Sequence, residues 1–221
     1  FKIKLNIYSE QDSKNQPLLQ DVDSSRQAIM ASVGDSINLA YFPTADSLTT
    51  FDDTRILYIK KDTTTSLGNS YSIFIYSNDP NVARWQVNFS EVGAGKGDYV
   101  QDIRSANGRV FKWVAPINGV SQGNYLPVQL LITPKLRRLI TLGGDVRLDA
   151  KSNLSVETAL SNNDINLFST MAKNNDQGLG LRLHFDRKTS LSSDTLNGWL
   201  LNSKVDYEFA GKNFKALEPY R

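Results

Sequence analysis

The chain has 221 residues, 40% hydrophobic and 22% charged, which is too apolar for wholesale disorder and long enough for one large domain or two packed subdomains. Its 25 basic and 23 acidic side chains leave a net charge of +2, so electrostatics supplies no reason to expect nucleic acid or an anionic membrane surface as a partner. The absence of cysteine and the presence of a single histidine, His184, exclude disulfides, thiolate metal sites, cysteine nucleophiles and multi-histidine metal centres, and no cofactor is expected.

Phe1, Ile3, Leu5 and Ile7 alternate with Lys2, Lys4, Asn6 and Tyr8, the pattern of a half-buried strand. That alternation begins at the first residue and leaves no stretch that reads as a signal peptide. Without an initiator methionine, the chain reads as a piece of a longer polypeptide; Tyr220-Arg221 suits a trypsin-like cut or a designed boundary equally well. No run approaches the roughly 18 apolar residues of a transmembrane helix. Ser9 to Pro17 is polar and reads as a loop. Ser24-Ser25-Arg26-Gln27 then offers a capping box, with the Ser24 hydroxyl and the Gln27 amide meeting free N–H groups of a first helical turn. Ala28, Ile29, Met30, Ala31 and Val33 follow, with Gly34 as the stop. A second short helix is expected from Asp35 to Tyr41, ended by Pro43, so the helical insert covers residues near 24–42.

From residue 55 the period switches to two. Ile56–Ile59, Tyr71–Tyr76, Trp85–Phe89, Val110–Val114 and Val128–Ile132 are aromatic and β-branched segments separated by turn residues such as Leu67-Gly68-Asn69 and Asn78-Asp79-Pro80. With no helices between them, these strands suggest a sandwich and not a parallel α/β sheet. Thr133-Pro134-Lys135 marks a seam. Beyond it, strands are expected at Ile140–Leu148, Leu154–Leu160, Ile165–Met171, Leu179–Phe185 and Trp199–Phe209, with turns at 150–153, 161–164, 174–178 and 188–198. In the fourth of these, Leu179, Leu181, Leu183 and Phe185 face one way and Gly180, Arg182, His184 and Asp186 the other, giving one buried face and one wet face. Strands of this kind occur in curved soluble sheets and in outer-membrane barrels. The expected fold is therefore mainly β. An antiparallel β-sandwich-like part with the helical insert occupies residues 1–134, and an antiparallel β-meander occupies 135–221.

Each candidate for chemistry has a plain structural alternative. Gly93-Ala94-Gly95-Lys96-Gly97-Asp98 looks like a phosphate loop but lacks its frame. Ser90 stands where the first glycine belongs, Gly97 follows the lysine, and Asp98-Tyr99-Val100-Gln101 continues as a strand, so a glycine-rich turn is expected. No Asp/Asn turn has the spacing of a calcium loop, and no metal site is expected. His184, between Arg182 and Asp186 at strand spacing, lacks an activated serine elbow, so a cross-strand surface network is expected. Asp52-Asp53, Glu91, Asp98, Glu157 and Asp164 could supply a glycosidase pair only if two of them face each other across a cleft. Lys135 with Arg137-Arg138 reads as a solvated cluster at the seam. Trp85, Trp113 and Trp199 are the candidate ligand-binding residues, as aromatic platforms for sugars or peptides; Trp85 and Trp113 lie in apolar strand patterns, which favour core packing for those two.

Several phrases carry a family likeness. They are Tyr8 to Leu18, Val92 to Val100, Gly108 to Pro116, Tyr125 to Val128 through Ile132 to Lys135, and Ala159 to Asn166. Together they resemble large cell-envelope proteins of the Bacteroidota whose longer chains are outer-membrane associated. The resemblance spans most of the chain and brings no catalytic residues with it. It implies export and a place in the periplasm, the outer membrane or at the cell surface. The expectation is a non-catalytic structural or interaction module of a larger envelope protein, with other regions of the same polypeptide or envelope proteins as partners. The alternatives are a glycan- or peptide-binding module at the cell surface and a hydrolase acting on envelope polysaccharide.

Overall fold

The computed structural model of the protein describes residues 1–14, 22–65, 67–103, 109–192 and 198–217. Parts of the expected 9–17 loop and 188–198 turn, Gly108 of the family-like segment, and Tyr220-Arg221 lie outside the described residues. With 52% strand and 8% helix, the protein belongs to the mainly β class with antiparallel sheets. In chain order its elements are β1 (Lys2–Gln11), α1 (Ser24–Ser32), β2 (Tyr41–Pro43), β3 (Ala45–Ser47), β4 (Leu57–Thr64), β5 (Ser70–Tyr76), β6 (Trp85–Val87), β7 (Ser90–Glu91), β8 (Tyr99–Asp102) and β9 (Val110–Trp113). They continue with β10 (Tyr125–Leu126), β11 (Val128–Leu130), β12 (Leu136–Arg147), β13 (Ser152–Asp164), β14 (Gln177–Ser190) and β15 (Leu200–Ala210).

The chain divides into two compact units, one built from residues 1–37 and 132–221, the other from 38–131. This division differs from two consecutive parts meeting at 134/135. The reason is β1, which pairs antiparallel with β12 from Lys2↔Asp145 to Gln11↔Leu136 and so belongs to the meander's sheet. Residues 38–131 are an insertion between two neighbouring strands.

In the first unit the sheet order is β1-β12-β13-β14-β15, every pairing antiparallel. The helix is capped one residue earlier than the sequence suggests. Asp23, not Ser24, is the N-cap, its Oδ1 accepting from Arg26 N at 2.8 Å, because an ionised carboxylate is also the better partner for the Arg26 guanidinium, 2.8 Å from Oδ2. Gly34 follows at φ +58°, a conformation glycine adopts without strain. The expected second helix reduces to one 3-10 turn, Ile37–Leu39, since Tyr41–Pro43 instead pairs with Val128–Leu130. Residues 165–171, expected as a strand, are irregular. There Asp164 Oδ1 accepts from Asn166 N, Asn166 Oδ1 from Phe168 N, and Ser169 Oγ from Met171 N, so local side chains take the amides a ladder would need.

In the second unit, β3-β6-β4-β5 form one four-stranded sheet and β7-β10-β8-β9 another, with β2 and β11 as a separate pair. Tyr58, Phe74, Val87, Tyr99 and Phe111, drawn from both four-stranded sheets, form a buried cluster. Removing each large ring from water contributes about 1.5–3 kcal/mol. Two tyrosines join the sheets reciprocally. Tyr99 Oη on β8 accepts from Phe74 N on β5 at 2.8 Å, and Tyr58 Oη on β4 accepts from Phe111 N on β9 at 3.2 Å. Burial raises the Tyr58 phenol and pushes Tyr99 up to about 12, against the lowering effect of the amide each accepts.

Candidate functional site

The long sheet of the first unit has two chemically opposite faces, and strict alternation along five strands of ten to fourteen residues makes them. One face reads, across the strands, Leu5–Leu142–Thr158–Leu181–Phe209 in one row and Ile3–Gly144–Val156–Leu183–Tyr207 in the next. Ile7, Ile140, Leu160 and Leu179 make a third. None of these side chains is buried; Leu5 is 60% exposed, Leu142 53% and Tyr207 54%. The structure corrects the expectation that the leucine side of β14 is a buried face, because no second layer among the described residues covers it. With the row Val146–Leu154–Phe185–Val205, four apolar rows about 6.6 Å apart on strands about 4.8 Å apart sketch a face of roughly 600 Å², at the upper end of the 300–600 Å² of the largest apolar patch on a typical soluble monomer.

The opposite face is polar, and its charges alternate in sign from strand to strand. One row is Lys4–Gly143–Glu157–Arg182–Glu208, the next Lys2–Asp145–Ser155–His184–Asp206. Lys4 Nζ lies 2.9 Å from Asp145, Ser155 Oγ donates to Asp145 at 2.7 Å, and Arg182 pairs with Glu208 at 3.5 Å. His184 Nδ1 is 2.6 Å from Asp206 Oδ1, with Asp186 3.8 Å from Nε2. Opposite charges facing each other across strands stabilise a sheet that is wet on this side. Ser155, His184 and Asp206 share one row and are the residue types of a hydrolytic triad, but the serine hydroxyl is committed to Asp145 and not to the imidazole.

Near the Gln11 and Asp164 ends of the strands, Asn166 is fully buried and its Nδ2 donates to Met30 O and Gly34 O, both at 2.7 Å. It thereby satisfies carbonyls at the C-terminal end of α1. Lys173 bridges Asp164 and Asp176 at 2.5 and 3.8 Å. Burial raises the Asp176 carboxyl, as does the neighbouring Asp164 carboxylate, and the Lys173 ammonium opposes both. This hub ties the helix to the 165–176 connection. Sequence reading missed it, although Asp164-x-Asn166 is an Asx-turn signal.

The tryptophans fall in different places. Trp85 and Trp113 lie in the inserted unit, half-buried against its aromatic cluster, with different ring partners: Phe74 at 5.8 Å for Trp85 and Tyr71 at 6.1 Å for Trp113. Lys60 Nζ sits 5.2 Å from the Trp85 ring. Trp199, 80% exposed, belongs to the other unit, just before β15. A groove of about 620 Å³ in the inserted unit is lined instead by Phe89 and Phe111, with Arg55, Gln86, Glu91 and Arg109 at its polar side.

The glycine-rich segment is a turn whose Gly93 and Gly95 have φ of +105° and +68°. Gly97 bridges to Gly123, where a Cβ on either would strike the Tyr125 or Tyr99 backbone. Positive φ at Gly93 and Gly95, and close approach of backbone to backbone at Gly97 and Gly123, account for these glycines. Asp98 accepts from Ser121 at 2.7 Å. Asp52 accepts from Thr54 and pairs with Arg55; the Thr54 hydroxyl and amide hold its carboxyl below the usual range, opposite to what a glycosidase acid requires. Set against protein-family models, curated proteins and solved structures, the chain matches none.

Proposed function

We propose that this chain is a non-catalytic structural module of a larger exported cell-envelope protein, and that its five-stranded sheet is part of the wall of a β-barrel lying in a lipid bilayer. The observation that carries the reading is the apolar face running across all five strands and left exposed by the other described residues. Two features support lipid as its cover. The strands are as long as or longer than the 9–11 residues a tilted strand needs to cross a bilayer. All neighbours are antiparallel, and the reverse face carries the charges, as a water-filled lumen requires. The resemblance to outer-membrane-associated envelope proteins agrees with this placement. Residues 38–131 are then a folded domain carried on one connection of the wall.

The test uses two single-cysteine variants of the full-length protein, Leu183→Cys on the apolar face and Ala159→Cys on the polar one, each labelled with an environment-sensitive dye. Residues 1–221 hold no other cysteine. In lipid vesicles a lipid-borne nitroxide should dim the Leu183 label and aqueous iodide the Ala159 label. A Leu183 label dimmed by iodide alone sinks the reading. One shielded from both quenchers means a protein partner covers the face, which removes the bilayer and leaves an interaction module.

The groove beside Phe89 favours a second reading for the inserted unit, a glycan- or peptide-binding module, with the half-buried Phe89 ring as apolar surface among the polar groups of Arg55, Gln86, Glu91 and Arg109. Calorimetric titration with envelope glycans, with no heat in wild type or none lost in Phe89→Ala, would remove it.

A further inference from the structure

We infer that both open edges of the sheet are completed by further strands of the same polypeptide, an odd number of at least three, and not by copies of this sheet. The inference rests on the barrel reading above and follows from strand direction. Because every pairing is antiparallel, β1, β13 and β15 run one way and β12 and β14 the other, so the two edge strands β1 and β15 point in the same direction. The connections divide accordingly. Residues 12–135, which include the inserted unit, and residues 165–176 leave one end of the sheet, while 148–151 and 191–199 leave the other.

Copies could close such a wall in two ways, and each conflicts with this topology. If copies are related by rotation about the barrel axis, β15 of one meets β1 of the next running parallel. Each junction is then a parallel seam in an otherwise antiparallel wall, against the uniformly antiparallel order of bacterial barrels. If instead two copies are related by a twofold axis across the wall, β15 meets β15 antiparallel. The inserted units of the two copies would then lie on opposite sides of the bilayer, so one large polar domain would face each compartment. An odd number of additional strands from the same chain avoids both. It restores an even, fully antiparallel circuit and keeps the inserted unit on one side. Since eight strands make the smallest closed barrels, the five of this sheet need at least three more. In such barrels the short turns face the periplasm and the long connections the exterior, which puts the end carrying 148–151 inward and residues 38–131 outside.

Native mass spectrometry of the full-length protein extracted in detergent reads the copy number. The Leu5→Cys/Tyr207→Cys double variant, treated in membranes with a flexible bis-maleimide, reads the edges. The expected result is one copy per particle and no cross-linked multimer. A particle of two or more copies linked through Leu5 and Tyr207 overturns the inference while leaving lipid quenching at Leu183, and with it the barrel reading, intact. Loss of quenching at Leu183 instead removes the barrel and this inference together. For sidedness, an impermeant maleimide on intact cells should label Asn118→Cys in the inserted unit and reach Lys151→Cys only after permeabilisation; the reverse order overturns the outward placement.

Discussion

In residues 38–131 Tyr99 and Phe111 are 3% and 6% exposed, whereas Leu5 and Leu142, facing each other across β1 and β12, are 60% and 53% exposed. Both regions are made of alternating antiparallel strands, and both carry one apolar face per sheet. In the inserted unit two sheets present those faces to each other, and two buried tyrosine hydroxyls accept amides across the gap. In the long sheet the described residues leave the five apolar strand faces without a second layer. An apolar stripe thus becomes a core only where a second layer folds back onto it.

The largest effect expected from this contrast is in the inserted unit. Phe111→Ala should cost about 3–5 kcal/mol of its stability through lost burial and a residual cavity, read by urea unfolding followed through tryptophan fluorescence. If the loss is under about 1 kcal/mol, the cluster is not the core described. Next is the apolar face of the long sheet, where Leu183→Arg should cost about 2–4 kcal/mol in a bilayer when the position lies near the midplane. Folded protein recovered in vesicles is the readout, and Ala159→Arg on the polar face is the control. Equal tolerance at both positions would break the distinction between the faces.

Tyr99→Phe removes the acceptor for Phe74 N and should cost about 1–3 kcal/mol by leaving a buried donor unpaired. The same residue predicts an alkaline transition. Its folded value near 12 stands above the ordinary value of 10.0, so the folded state holds the proton more tightly. That stability is fully present below pH 10 and is lost as pH rises toward 12. Unfolding followed with tyrosinate absorbance should show the loss in wild type and much less of it in Tyr99→Phe. The smallest effect belongs to Trp199→Ala. A ring 80% exposed outside any core should change stability by no more than about 0.5 kcal/mol; a larger loss would show that the ring is covered in the assembled protein.

Much of this was legible residue by residue. The alternation of Phe1–Tyr8 and of Leu179–Asp186 marks strands with one polar and one apolar side, and β1 and β14 have those sides. Gly34 ends the helix where expected, and the Gly93–Gly97 segment is a turn. The failures have local causes. Asp23 outcompetes Ser24 as cap because its carboxylate serves both an amide and a guanidinium. Ile165–Met171 has strand-like residues, yet Asp164, Asn166 and Ser169 take its amides. Trp85 and Trp113 lie in apolar strand patterns and are half-buried against the aromatic cluster; the groove is lined by Phe89 and Phe111, which a single-sequence pattern does not distinguish from any other strand phenylalanine.

The sequence by itself determined the class of element and the two-sidedness of each strand, because side chains alternate across a pleated backbone whatever the strand pairs with. Only the tertiary structure decided that β1 joins β12 across an intervening folded unit, that the inserted strands close on themselves, and that the five long strands stay a single layer. The first outcome depends on contacts between residues more than a hundred positions apart, such as Lys2 with Asp145, and the second on contacts tens of positions apart, such as Tyr58 with Phe111, whose loop-closure cost and face-to-face fit no local window of sequence contains.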